Sequence, residues 1–264
     1  MQSDMTVKSI GEYVEKVTTV SAEWGNDKSF IAPWFRGIGD SEFKLVPRLY
    51  REHDIDHLEE EGKIRRAFSD RAMLYAMSTR KREPWDWYFL MQHYGVPTRL
   101  LDWTESALVA LYFALYARDT NRRSVPAVWV LDPIALNLIT VGIGRIVVPS
   151  EGGLARHLPQ SGSGVDSPYP VAVGPEYADP RMIAQQSKFT MHGHLVTALD
   201  EIEQLQVLRE KEQLVRILIA GKNEEAFEDL KQSLTLLGMR NSTVFPDLTG
   251  LAMDIRQDYT LEQE

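Results

Sequence analysis

Gln92-His-Tyr-Gly95-Val-Pro97-Thr-Arg99-Leu-Leu-Asp102-Trp-Thr104, continued by Ser106-Ala-Leu-Val-Ala110-Leu-Tyr-Phe-Ala114-Leu-Tyr-Ala117, decides how this chain is read. Pro97 ends a helix, because it has no N–H to donate and restricts the residue before it. Residues 97–104 then read as a short extended piece. Asp102, Thr104 and Ser106 each offer a side-chain oxygen to cap the helix that follows. That helix, 106–117, contains no charged residue. A helix apolar on every side is buried, so it is expected to be the spine of the core.

Working outward, Val125–Leu131 is β-branched and apolar on both faces, the pattern of a central strand. Pro84 opens a helix through Trp85, Trp87, Phe89 and Leu90 to Gly95. Leu58, Ile64, Phe68, Met73 and Met77 space a helix over 54–79, and Ser29–Phe35 predicts a strand turning at Arg36-Gly37. Met5, Val7, Ile10, Val14 and Val17 suggest an amphipathic helix over 5–19. Downstream, strands are expected at 187–191 and 214–220, and helices at 198–212, 223–237 and 246–255. The segment 149–180 holds five Gly and six Pro and reads as a long irregular excursion. Together these elements predict an α+β fold, a single domain with a mixed sheet and packed helices.

The 264 residues include 44% hydrophobic and 25% charged residues, average for a globular chain. The absence of cysteine excludes disulfides, thiolate metal sites and a cysteine nucleophile, and fits a reducing, cytoplasmic setting. A net charge of −9 argues against general binding to a phosphate backbone. Met1–Ile10 lacks a signal-peptide pattern, and the apolar run 107–117 is about half of the roughly 20 residues needed to span a bilayer. The expectation is a soluble intracellular protein with no membrane partner.

Familiar catalytic signatures are missing: no phosphate-binding Gly-x4-Gly-Lys loop, no Gly-x-Ser-x-Gly elbow and no His-Glu-x-x-His helix. Gly37-Ile-Gly39 and Gly142-Ile-Gly144 lack a third glycine and read as turns. His192 and His194, on one face of a strand, lack a third ligand, so no metal site is assigned. Two clusters stand out, Trp34-Phe-Arg36-Gly37 with Leu45-Val-Pro-Arg48-Leu-Tyr-Arg51, and the 92–104 stretch. Arginine and aspartate beside apolar sequence are costly unless paired. They make either an internal network, with Arg36 or Arg99 bonded to Asp102 and backbone carbonyls, or a pocket gripping phosphate or carboxylate. The Arg80-Lys-Arg82 and Arg118/Arg122/Arg123 clusters read as solvated helix ends, and the Trp85/Trp87 pair as packing.

These clusters resemble the FRG domain family, named for the Phe-Arg-Gly at Phe35-Arg36-Gly37. The likeness includes Leu45-x-Pro-Arg48 with Arg51, Leu90-x-Gln-His-Tyr-Gly-x-Pro-Thr-Arg-Leu-Leu-Asp-Trp-Thr104, Ala110-Leu-Tyr-Phe-Ala114 and Val128-Trp-Val-Leu-Asp132. It continues through Arg181-x3-Gln185-Gln186-Ser187-x-Phe189-Thr190 to Phe245-Pro-Asp247-Leu-x-Gly250. It covers about residues 8–255, with 1–7 and 256–264 as termini. The layout is similar in turn to ADP-ribosyltransferase-like domains, which open on an aromatic-Arg-Gly strand and close on a Glu- or Gln-bearing strand.

That resemblance implies a nucleotide pocket with NAD as candidate substrate. Arg36 would hold phosphate, Arg99 being a second candidate, with Gly37, Arg48 and His93 beside them. Thr98 and Thr104 would bond ribose or the nicotinamide amide, while Tyr94 or Trp103 stacks on a ring. Asp102 is the first-choice carboxylate for an oxocarbenium-like centre. Gln185 and Gln186 occupy the third catalytic place, where active transferases carry glutamate. Glu105 and Glu176 are further carboxylates, and Glu201-Ile-Glu203 reads as a solvated helix face. The activity implied is ADP-ribosyl transfer or NAD hydrolysis of a toxin or antiphage type, with a protein or nucleic-acid acceptor left open. A non-catalytic module binding a nucleotide, nucleic acid or protein, and a purely structural polar network, are the alternatives.

Overall fold

The structure, a computed structural model, describes residues 5–22, 24, 32–52, 54–72, 75, 84–149, 157–158, 165–175 and 180–259. In chain order the elements are β1 (Met5–Val7), α1 (Ile10–Ala22), β2 (Trp34–Ile38), a 3-10 turn (Arg48–Arg51), α2 (His57–Ala72), α3 (Pro84–His93), β3 (Leu100–Thr104), α4 (Ala107–Tyr116) and β4 (Ala127–Leu131). Then come α5 (Pro133–Val141), β5 (Val171–Val173), α6 (Pro180–Ala184), β6 (Ser187–Met191), α7 (Gln206–Glu210), β7 (Leu214–Ile219), α8 (Glu224–Leu236), α9 (Asn241–Val244) and α10 (Leu248–Asp258). The fold is α+β. Seven strands form one mixed sheet in the order β1-β7-β4-β2-β3-β6-β5, parallel at β1–β7 and antiparallel at the other pairings.

The uncharged helix behaves as its composition requires. Ser106 caps α4, its Oγ accepting the Val109 N–H at 3.3 Å, and the helix lies on one face of the sheet with α1 and α8. Every residue of β4 is buried: Val128 and Val130 face the α4 side, while Ala127, Trp129 and Leu131 face α5 and the turns before α7. A third apolar cluster joins α3 to β5 and β6. Contact between β2 and α4 is direct, because a Cβ on Gly37 would stand 1.9 Å from the Ala110 carbonyl oxygen. Gly39 meets the Ala117 oxygen at the same distance.

Several elements differ from the sequence reading. Residues 5–7 form an edge strand on Ile217–Ile219, and the helix starts only at Ile10, after Ser9 accepts the Glu12 N–H. Arg36 and Gly37 do not turn; they lie inside β2, on opposite faces. Over 198–212 the helix is replaced by two 3-10 turns, Leu199–Glu201 and Glu203–Leu205, ahead of the short α7. Leu199, Ile202, Leu205 and Leu208 recur every three residues and are all buried, which suits three residues per turn better than 3.6. The excursion holds the edge strand β5, while residues 150–156, 159–164 and 176–179 lie outside the described residues. So do Met73, Met77 and Arg80–Arg82. Helix α5 is an addition to the expected elements: Asp132 caps it, Pro133 opens it and Gly142 ends it at φ 71°.

Gly37→Ala is expected to cost about 3 kcal/mol or more, since backbone rather than a movable side chain fills the space. Urea unfolding should show the loss with an unchanged m-value.

Candidate functional site

The sheet parts beside its middle strand. β2 pairs with β4 at five positions but with β3 at one, Phe35 with Thr104. The Arg36 side chain occupies the opening, its Nη1 donating to the Asp102 carbonyl oxygen at 2.7 Å and standing 3.9 Å from Asp102 Oδ2. A cavity of about 270 Å³ opens here, with Arg36, Arg48 and Arg51 on its walls beside Gln92 and Asp102, and Leu100 and Leu101 beneath. Three guanidiniums against one carboxylate make it a positive cleft in an acidic chain.

Each arginine is steadied by a carbonyl. Arg48 Nη1 donates to Gly95 O at 3.0 Å, and Arg51 donates from Nε and Nη2 to Val46 O at 3.3 and 3.2 Å. A guanidinium has five N–H donors, so anchoring one or two leaves others for a ligand. Arg36 Nε is buried without a partner among the described residues. Burial draws the Arg36 pKa down, Asp102 pushes it back up, and Arg51 adds to the lowering. The guanidinium nonetheless stays protonated.

Asp102 is positioned by a relay whose direction is forced. The Leu100 N–H donates to Thr98 Oγ1 at 3.0 Å; the Thr98 hydroxyl then donates to Gln92 Oε1 at 2.6 Å. That turns Gln92 Nε2 toward Asp102 Oδ2, to which it donates at 2.7 Å. The Asp102 side chain remains 57% exposed. Crowding by the cleft raises its pKa, while Arg36 and then the Gln92 amide oppose the rise. Gln92 and Asp102 also line a second cavity of about 200 Å³, among Phe89, Phe113, Phe189, Phe245 and Gln185.

Residues 32–123, which carry β2, α2, α3, β3, α4 and the whole arginine cavity, match the model of the FRG domain. The chain carries an FRG domain. No curated protein and no solved structure matches the chain.

The expected site residues separate into groups. Arg36, Arg48 and Asp102 meet at the arginine cavity, joined by Arg51 and Gln92. Arg99 does not reach it. With 0% exposure, it donates from Nε to Glu61 Oε2 at 2.7 Å, from Nη1 to His192 O at 2.8 Å and from Nη2 to His157 O at 2.7 Å. Glu61 also accepts the Arg99 backbone N–H at 3.0 Å and the Tyr88 hydroxyl at 3.2 Å. Glu61 is the partner that sequence reasoning missed; it is one of several acids on a polar helix, and no spacing singles it out.

Thr98 is buried and acts inside the relay rather than on a ligand. Thr104 donates to Gln185 O at 2.6 Å and accepts the Ser106 N–H, tying α4 to the joint before β6. Gly37 packs against α4 and offers nothing to the cavity. His93 and Gln185 line the second cavity, Gln185 Nε2 donating to Val244 O at 3.1 Å. Tyr94 is exposed, edge-on to His93, and lines neither of these cavities. Gln186 sits at φ 47° in the turn before β6 and lines neither cavity. Trp103 is buried, its Nε1 donating to Thr190, which leaves no face to stack on a ring.

The remaining carboxylates are elsewhere: Glu105 pairs with Lys188, Glu201 pairs with Lys44, and Glu176 lies outside the described residues. His192 and His194 follow β6 rather than lying in it; His192 is buried and His194 meets Val165 O. Among the described residues no group of three ligands could hold a metal. No helix described is long and apolar enough to cross a membrane.

Two outcomes follow from the Arg99 network. Glu61→Ala strands a buried guanidinium and should cost about 3–5 kcal/mol in urea unfolding, whereas the cavity-facing Arg48→Ala should cost under about 1 kcal/mol. Burial beside Arg99 holds His192 down at about 3 and His157 at about 4, both below the ordinary 6.5. Below pH 6.5 the unfolded chain therefore takes up protons that the folded one refuses, and stability falls as pH drops toward 4. His192→Gln should flatten the Tm-versus-pH curve in that window.

Proposed function

We propose that this FRG domain binds a phosphate-bearing nucleotide in the arginine cavity and acts on its N-glycosidic bond at Asp102, with NAD as the candidate substrate. The observation that carries the reading is the position of Asp102: an accessible carboxylate, oriented by Gln92, on the wall of a cleft bearing three arginines. Guanidiniums fork onto phosphate oxygens and fix a diphosphate in one pose. A carboxylate at the edge of such a cleft stabilises positive charge developing at the anomeric carbon. The C1′–N bond breaks with its electron pair moving to the ring nitrogen, which becomes neutral. Water, or a nucleophilic acceptor, adds at C1′ and gives up its proton to solvent. Protein and nucleic-acid acceptors are both compatible with this step.

One observation favours a second reading, a nucleotide-binding module without catalysis. The place where the resemblance expects a glutamate is held by Gln185 and Gln186, in the turn before β6, and Asp102 is the one carboxylate lining either cavity described. The structural-network reading accounts fully for Arg99 and in part for Arg36, which bonds the Asp102 carbonyl and also lines an open cavity.

Nicotinamide release from NAD by the purified protein is the test. Asp102→Asn should lower release about 10²-fold or more while NAD still raises the Tm, and Arg48→Ala with Arg51→Ala should weaken NAD binding about tenfold or more. An NAD-dependent Tm rise without release would establish the binding module instead. No release and no Tm rise would remove the nucleotide reading.

A further inference from the structure

The Arg118/Arg122/Arg123 cluster is not a solvated helix end throughout. Just past α4, the Arg118 side chain is 5% exposed and lies over Phe227 of α8, its guanidinium carbon 3.9 Å from the ring centre. Its Nε donates to Ser124 O at 2.9 Å, while Nη1 and Nη2 fork onto the Glu224 carboxylate at 2.5 and 2.9 Å. Those bonds hold Glu224 below the usual carboxylate range, so the two charges cancel. Arg122 is neutralised separately by Asp119 at 3.3 Å. Arg123 and Lys222 are left over. Both are exposed, and among the described residues neither is in an ion pair.

These side chains surround a third cavity of about 480 Å³, larger than the arginine cavity, where β7 ends and β4 begins. It shares no lining residue with either cavity described above. Val125, Ile219 and Phe227 give it apolar surface. Phe227 closes directly over the turn after β7, since a Cβ on Gly221 would stand 2.6 Å from its ring. Three cations against one carboxylate leave the lining with positive charge in excess.

We propose that this cavity is a binding site for a small phosphate monoester with an apolar body. It stands apart from the nucleotide reading and does not depend on it. A phosphate monoester carries about 1.5 to 2 negative charges at pH 7, which matches what Arg123 and Lys222 leave unbalanced. Guanidinium and ammonium N–H groups give its oxygens charge-assisted hydrogen bonds. Glu224 is committed to Arg118, so it does not neutralise Arg123. The apolar body lies against Val125, Ile219 and Phe227, in a cavity of the size that small ligands occupy.

Calorimetric titration of the full chain with phenyl phosphate tests the site, with inorganic phosphate and phenol as comparison probes. The Arg48→Ala, Arg51→Ala background removes the arginine cavity as a competitor, and phenyl phosphate should still bind there. In that background, Arg123→Ala with Lys222→Ala should weaken binding about tenfold or more at an unchanged Tm. Arg122→Ala removes a neighbouring cation that is already paired, and should leave binding as it was. Phenyl phosphate should bind about threefold or more tighter than phosphate, and phenol about tenfold or more weaker. Loss of all binding in the arginine-cavity background would overturn the proposal and assign the phosphate to the first cavity. Equal weakening by Arg122→Ala would overturn it in favour of diffuse surface charge. Equal affinity for phosphate and phenyl phosphate would overturn the apolar half of the site. NAD-dependent Tm shifts should survive Arg123→Ala with Lys222→Ala, so either reading can fail while the other stands.

Discussion

The Arg99 guanidinium, buried completely and bonded to Glu61, is the constraint around which the site is assembled. A charged pair in the interior is costly unless its remaining donors and acceptors are met. Here they are met from four places: Glu61 on α2, Tyr88 on α3, the His192 carbonyl beyond β6 and the His157 carbonyl in the excursion. The pair therefore clamps α2 and the excursion onto the start of β3. Thr98 is next to Arg99, and Asp102 is three residues on. Holding Arg99 holds both.

A second constraint is steric and acts from the opposite face. Gly37 and Gly39 let α4 lie against the backbone of β2, and the uncharged helix fills that face, its buried Tyr112 hydroxyl donating to Asn241 Oδ1 at 2.5 Å. The face turned away from α4 carries Trp34, Arg36 and Ile38. Because β2 and β3 diverge after Phe35 and Thr104, Arg36 takes the Asp102 carbonyl that a continuous ladder would have paired with backbone. The cleft is thus a gap in a sheet, bridged by one side chain, rather than a hollow between domains. Its polarity follows from which arginines the 3-10 turn at 48–51 brings over it.

Much of this was legible in the chain because it rests on local rules. Composition alone identifies α4 and β4 as core, and Ser106 acts as the cap its position suggests. Arg36, Arg48 and Asp102 stood out as charges inside apolar sequence, and they do meet. Arg99 stood out for the same reason, yet its partner lies 38 residues away on a helix rich in equivalent acids. The three-residue apolar step over 199–208 is present in the sequence, but a window that short does not separate three residues per turn from 3.6, and the α-helix is the commoner structure.

By itself the sequence determined the α+β class, the buried helix and strand, the absence of thiol chemistry and the set of polar residues that had to be paired or functional. Those properties follow from hydrophobic period, capping chemistry and the cost of burying charge, all of which act over a few residues. Only the tertiary structure decided which arginine is scaffold and which faces the cavity, because that depends on the partner each meets across the fold. It also decided that Thr98 works through Gln92 on Asp102, and that Gln185 rather than Gln186 reaches the aromatic pocket. Adjacent residues in the strand Leu100–Thr104 point to opposite faces, so a shift of one position in register would exchange scaffold and site.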